Sequence, residues 1–401
     1  MKFSLTNIKF VVAFVLFFMV YRVSNADIKK VKYTKGMFFF SFILFISLLI
    51  SIPGFLSLDF DGFRIWKQYL WFPFFIHIFS QVEKVAGITL SFLVRTFVNG
   101  MVWYTIITFF LFFIPLPIWN DYHVYWGRLT VGYPTIDTVL LCFAILLLFF
   151  FPTIQYSFIK KTIMGFILLV GTLMQASGTS IVLLAIIIIS MFCYLWKIGL
   201  TSKVVNSISY NMNIKSILLL ALFVSCTGGG IYSFLSSKEP ELARNMILQL
   251  ENRFYILLGM EEESTLTDVN TLEDRKEGFE HAKNMYLEDI LSQFLGIGYA
   301  NVSMQDFSRK RIVLEDQYHL NLITIGYLGT FFYFLVFVEL FIIAFKFWGG
   351  EYLYVYIPSI LFIISTSFSS FCIATYGIIG IASLIYVSMC FERKRLFKSI
   401  K

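Results

Sequence analysis

Charge is what this chain has least of. Only 14% of its 401 residues are Asp, Glu, Lys or Arg, against 58% that are hydrophobic. That balance excludes a water-soluble domain, because a single core cannot hide so much apolar surface. Paired cysteines are missing too. Cys142, Cys193, Cys226, Cys372 and Cys390 all fall in apolar runs, with no metal-site or redox spacing among them, so they read as small packing residues. The apolar run from Ile8 to Val20 continues through Tyr21, Arg22 and Val23 toward a basic cluster. It reads as a first span, not as a signal peptide. Internal repeats and alternating apolar–polar stretches are absent, which excludes a membrane barrel. The net charge of +7 comes with no basic domain separate from the apolar runs, so nucleic acid is excluded as a partner.

What the chain has is long, continuous apolar runs. Lipid forces every backbone N–H and C=O to find a partner within the protein, so such runs must be helices. Runs that satisfy the span criterion lie near 8–23, 36–57, 65–80, 97–117, 137–155, 162–176, 179–197, 215–235, 320–346, 351–369 and 371–391. The run at 65–80 carries Lys67, Gln68 and His77 and also suits an interfacial or re-entrant helix. The expected fold is therefore an all-α polytopic integral membrane protein with about 11 transmembrane helices and one large extracytoplasmic helical loop. Its expected organisation is a membrane domain over 1–235, the loop over 236–317, and a second membrane domain with the C-terminus over 318–401.

Lys and Arg are distributed unevenly between alternate short loops. One set, running from Arg22, Lys29 and Lys30 through Lys160, Lys161 and Lys346 to Arg393–Lys401, holds 18 cations, and the opposite set holds 5. The positive-inside rule makes the richer set cytoplasmic. The segment Ser236–Gln317 then lies outside, carrying 16 acidic and nine basic residues. Apolar residues recur in it at roughly helical spacing: Leu242, Met246, Leu248, Leu250, Phe254 and Leu257, then Leu272, Phe279, Ala282, Tyr286, Ile290 and Phe294 on one side of a second pattern. Glu261–Asn270 reads as a polar connector.

Three outward segments hold ionisable groups that topology does not explain, which makes them functional candidates. The first contains Arg128, the one cation between Trp119 and Asp137. An arginine fork there suits a phosphate or diphosphate, or it pairs with Asp121 or Asp137 to hold the loop. Tyr122, Tyr125, Trp126 and Tyr133 suit stacking on sugar faces or, the favoured reading, the aromatic belt. The second runs from Glu273 through Arg275, Lys276, Glu277 and Lys283 to Gly296 and Gly298. It reads as an amphipathic helix with a solvated charged face, followed by glycines that let the chain turn. No strand precedes this Gly-x-Gly, which excludes a dinucleotide site. The third holds Arg309, Lys310, Arg311, Glu315, Asp316 and His319 at the mouth of the ninth span. Glu315 and His319 are four apart, and Asp316 and His319 three apart, so either pair shares a helix face and suits a base with its orienting partner.

The order of these features resembles the O-antigen polymerase (Wzy-type) and O-antigen ligase superfamily, membrane glycosyltransferases of the GT-C class. The resemblance is carried by Arg128…Gly132-Tyr133-Pro134 leading into a span, and by the Ser177-Gly-Thr-Ser180 start of another. It continues through the long outer loop with its arginine-initiated helix and Gly296-x-Gly298, and through Asp316-Gln-Tyr318 some way before Gly326-x-x-Gly329. It covers roughly 97–345 and is best over Leu295–Gly329. Gly178 stands where the family often has an arginine. Glu315-Asp316 stands where ligases carry His-Asn, with His319 one turn later, which favours a polymerase over a ligase.

The resemblance implies a polymerase of lipid-linked oligosaccharide repeat units in a bacterial inner membrane, for O-antigen or capsule, as part of lipopolysaccharide or other polysaccharide biosynthesis. It implies undecaprenyl-diphosphate-linked oligosaccharides as substrates, membrane lipid and a chain-length regulator as partners, and no cofactor or metal. On that reading Arg128, Arg275, Arg309 and Arg311 bind the diphosphate, and Glu315, Asp316 and His319 are the candidate catalytic residues. The competing expectations are an O-antigen ligase, a flippase or transporter of lipid-linked sugars, and a scaffold without chemistry. Nearly uncharged spans and one dominant outer loop count against transport, which favours paired halves and ionisable groups deep in the spans.

Overall fold

A computed structural model describes residues 34–52, 75–76, 78–79, 89–113, 134–151, 154, 156–175, 177–201, 271–298, 317–345, 353–367, 380, 382–388 and a few single residues between 233 and 251. Among them regular structure is entirely helical. In chain order the helices are α1 (Lys35–Ile50), α2 (Leu90–Phe113), α3 (Pro134–Phe150), α4 (Phe158–Met174), α5 (Gly178–Thr201), α6 (Thr271–Tyr286), α7 (Ile290–Leu295), α8 (Gln317–Phe345) and α9 (Leu353–Ser367). Two of the described helices, over Leu90–Phe110 and Gln317–Phe345, are long and apolar enough to cross a membrane.

Local chemistry sets the helix starts. The Thr34 hydroxyl accepts the Met37 N–H at 3.3 Å and opens α1. Thr89 caps α2 by accepting the Phe92 N–H at 3.2 Å, so this helix begins seven residues before the apolar run at 97–117 and includes Arg95. Hydropathy marks the length that suits lipid, whereas the cap marks where the helix begins. α3 starts at Pro134, whose ring is preorganised for a first helical position. α4 is capped by Ser157, and α5 opens where Ser180 bonds back to the Ser177 carbonyl through both its N–H and its hydroxyl.

The chain divides into two compact units, each discontinuous in sequence. In the unit Val94–Val269 with Gly349–Thr366, α3 is the central element: Thr138, Val139 and Leu141–Leu148 are buried, and α4 and α5 pack on it. Gly171 lets α4 approach Thr105 of α2. The carboxylate of Asp137, in the first turn of α3, accepts the Tyr104 hydroxyl at 2.6 Å.

The other unit comprises Met1–Leu93, Asn270–Trp348 and Ser367–Lys401. Here α1 packs along α8. Gly36, Met37, Phe40, Ile43, Leu44 and Ser47 form the buried stripe of α1, while its opposite side exposes Phe38, Phe39, Phe42, Phe45 and Leu49. The pair is antiparallel. Gly36 near the start of α1 donates to Glu339 Oε2 at 2.8 Å, toward the end of α8. Ser47 near the end of α1 donates to the Thr324 carbonyl at 3.4 Å, in the first half of α8. The start of α1 is further tied by Tyr386, whose hydroxyl accepts the Thr34 N–H at 3.0 Å and donates to the Thr34 hydroxyl.

The amphipathic pattern expected over 271–294 is met only in its first part. Phe279, Ala282 and Tyr286 do turn inward, clustering with Ile297 and the fully buried Ile323. Ile290 and Phe294, expected on that same side, are exposed. Asp289 is the reason: it accepts the Ser292 N–H at 2.7 Å, starts a new helix and resets the phase.

Candidate functional site

The candidate site is the junction of α6, α7 and the first half of α8. A helix that is otherwise continuous from Gln317 to Phe345 is broken at Gly326, where φ is 66° and ψ is −171°. The break releases carbonyls that a continuous helix would have used, and buried carbonyls need partners. The loop supplies them: the Ile297 N–H donates to the Ile323 carbonyl and the Gly298 N–H to the Thr324 carbonyl, each at 3.0 Å. Thr330 Oγ1 donates to the Gly326 carbonyl at 2.8 Å.

Three glycines with positive φ make this close approach possible: Gly296 (72°), Gly298 (83°) and Gly326 (66°). A Cβ on Gly296 would collide with the backbone of Thr324 and Ile325, and one on Gly326 with the backbone of Phe294 and Gly296. One on Gly298 would meet Ser51 Oγ at 2.6 Å and the Ser47 carbonyl at 3.1 Å. The turn expected of Gly296-x-Gly298 is therefore present, and it plugs the loop backbone into the broken helix.

His319 lies in the first turn of α8, and its imidazole stacks on Phe279 of α6 with ring centres 4.3 Å apart and planes 29° from parallel. Tyr318 flanks it at 5.3 Å. On α6, Arg275 sits one helical turn before Phe279. The contacts Phe279–His319 and Ala282–Ile323 advance together along both chains, so α6 runs parallel to the first half of α8. The structure thus brings His319 and the Arg275 helix together. Arg128, Arg309, Arg311, Glu315 and Asp316 lie outside the described residues.

One feature of the site escaped the sequence reading. Gln317, Asn321 and Thr324 are spaced three and four apart, form one stripe of α8, and are all fully buried. Gln317 Nε2 donates to Asn321 Oδ1 at 2.8 Å, and Thr324 Oγ1 donates to the Leu320 carbonyl at 2.6 Å. Asn321 Nδ2 is buried and finds no acceptor among the described residues. Its spacing from Gln317 was the available signal, since residues four apart share a helix face.

No protein-family model, curated protein or solved structure matches this chain.

Chemically, the junction combines a stacked imidazole and a buried amide donor, with Arg275 placed by sequence one turn before Phe279 on the neighbouring helix. Outside it, Glu277 of the charged face of α6 is exposed, as are Glu280 and His281, and the half-exposed Lys283 pairs with Glu280 at 3.4 Å. Glu339 is a further group that the reading of the spans as nearly uncharged passed over. It stands inside α8 and binds the N-terminal turn of α1, an interaction that the helix dipole favours.

Proposed function

We propose that this chain is a multi-pass inner-membrane polymerase of lipid-linked oligosaccharide repeat units, acting at the extracytoplasmic face. The observation that carries the proposal is the docking of α6 on the mouth of α8 through the Phe279–His319 stack, one turn from Arg275. Apolar outer faces on α1 and α8 support membrane residence, because in water they would leave large side chains such as Phe38, Phe42, Phe45 and Phe331 solvated. The antiparallel pairing of α1 and α8 agrees with the cation count. It sets Lys35 at the same end as the helix terminus that leads to Lys346, with the junction at the other.

In the proposed reaction a sugar hydroxyl of the incoming repeat unit attacks the anomeric carbon of the growing glycan. The new glycosidic bond forms as the bond to undecaprenyl diphosphate breaks, and the diphosphate leaves with the electron pair. The hydroxyl proton passes to a base, for which His319, Glu315 and Asp316 are the candidates; such help is typically worth about 10²–10⁴ in rate. Arg275, with Arg128, Arg309 and Arg311, stabilises the charge that develops on the leaving diphosphate. Asn321 supplies a buried donor for a sugar or phosphate oxygen.

Deleting the gene and resolving the surface polysaccharide on a gel tests this reading. A polymerase deletion leaves core plus a single repeat unit. Core without any repeat would instead indicate a ligase, and lipid-linked units trapped inside would indicate a flippase. Arg128→Ala and Arg275→Ala are each expected to abolish long chains at unchanged protein level. A full ladder from both variants would overturn the diphosphate assignment.

A further inference from the structure

Helix α7 is turned inside out for a segment in water. Ile290 is 76% exposed, Leu291 69% and Phe294 55%. Its polar residues are half-buried and bond to the segment just before it: Ser292 bonds Asp289 through both N–H and hydroxyl, and Gln293 Nε2 donates to the Leu287 carbonyl at 3.1 Å. The adjacent α6 shows the opposite order, with Glu277, Glu280 and His281 outside and Ala282 inside.

The position of α7 along the span identifies what covers it. The backbone of Phe294 abuts Gly326, and the exposed apolar stripe of α8 begins at the next residue: Tyr327, Phe331, Val338, Ile342 and Phe345. From Gly326 to the end of α8 the helix rises about 28 Å at 1.5 Å per residue, close to the roughly 30 Å of a bilayer's hydrocarbon core. The break therefore sits at one hydrocarbon boundary, and the apolar side of α7 continues the stripe there.

We propose that α7 is an interfacial anchor, lying at the headgroup–acyl boundary with Ile290, Leu291 and Phe294 among the lipid chains. Its charged neighbours, Glu288 and Asp289, are both acidic and exposed, so apolar burial holds it and anionic headgroups are not required. The anchor fixes the loop that delivers the Ile297 and Gly298 N–H groups to the broken helix. The proposal rests on membrane residence alone and stands apart from the glycosyl-transfer reading.

The test places a photoreactive benzophenone side chain singly at 290, 291 or 294 of the full chain. Position 331 serves as the lipid-facing reference and position 280 as the solvated one. The protein is reconstituted in bilayers of phosphatidylcholine alone, and lipid adducts are counted by mass spectrometry. The three α7 positions are expected to give adducts at the level of position 331 and several-fold above position 280. Because three positions report on one surface, any that accumulates as folded protein decides the question. Adducts at 331 but none at α7, adducts to another polypeptide, or adducts only when anionic lipid is added would each overturn the proposal.

Discussion

The two halves of α8 follow different rules on either side of Gly326. Before it, Leu320 to Gly326 are buried without interruption, and the polar stripe Gln317, Asn321 and Thr324 lies inside the protein. After it, only one stripe is buried, including Gly329, Tyr333, Val336, Phe337 and Leu340, while the opposite stripe exposes apolar side chains. The first half is thus a helix surrounded by protein, and the second has an outer face suited to lipid. Backbone polar groups tolerate a break only where other protein groups answer them, and the loop glycines provide that answer at the boundary between the halves.

The largest effect is expected from closing that boundary. Gly326→Ala adds a Cβ at φ 66° and ψ −171°, a region essentially confined to glycine, which costs about 1–3 kcal/mol, and drives it into the backbone of Phe294 and Gly296. The variant should lose its folded monodisperse form in detergent, read by size-exclusion and thermal unfolding. Gly100→Ala is the matched control: its Cβ meets nothing within 4 Å, and stability should stay within about 1 kcal/mol of the parent. Next comes the stack on the enclosed half. Phe279→Leu keeps apolar bulk but removes the ring face beneath His319, worth about 0.5–1.5 kcal/mol. If the proposed polymerase function holds, the glycan made in cells should shorten markedly while thermal stability changes little. The smallest effect concerns the other half. Glu339→Gln still accepts the Gly36 N–H but loses the charge at the α1 N-terminus, for an expected loss of about 0.3–1 kcal/mol by thermal unfolding.

These differences also show what hydropathy and spacing can reveal. The apolar runs at 36–57, 97–117, 137–155, 162–176, 179–197, 320–346 and 351–369 each overlap a described helix, because hydropathy and helix period are local properties, whereas those at 8–23, 65–80, 215–235 and 371–391 lie wholly or mostly outside the described residues. The Gly296-x-Gly298 turn was legible because glycine is the residue that adopts positive φ without strain. Gly326 was not. Its Gly-x-x-Gly lies inside an apolar run and entered the sequence reading only as part of the resemblance; the approach of Phe294 and Gly296 from another part of the chain shows that the helix breaks there. The phase change at Asp289 was missed because period counting extends a pattern across a cap. At the candidate site, types and spacing singled out His319 and Arg275, but Phe279 looked like ordinary core. Its stacking partner is forty residues away and is supplied by the fold.

Sidedness of the α6 helix is the claim on which the functional account rests. The direct measurement uses a background with all five cysteines replaced and single thiols returned at two exposed positions of one unit, Glu280→Cys on α6 and Lys35→Cys at the start of α1. Intact cells are then treated with a membrane-impermeant maleimide. The account predicts that the thiol at 280 reacts before lysis and the thiol at 35 only after it. Reaction at 35 in intact cells, with 280 protected until lysis, would contradict it.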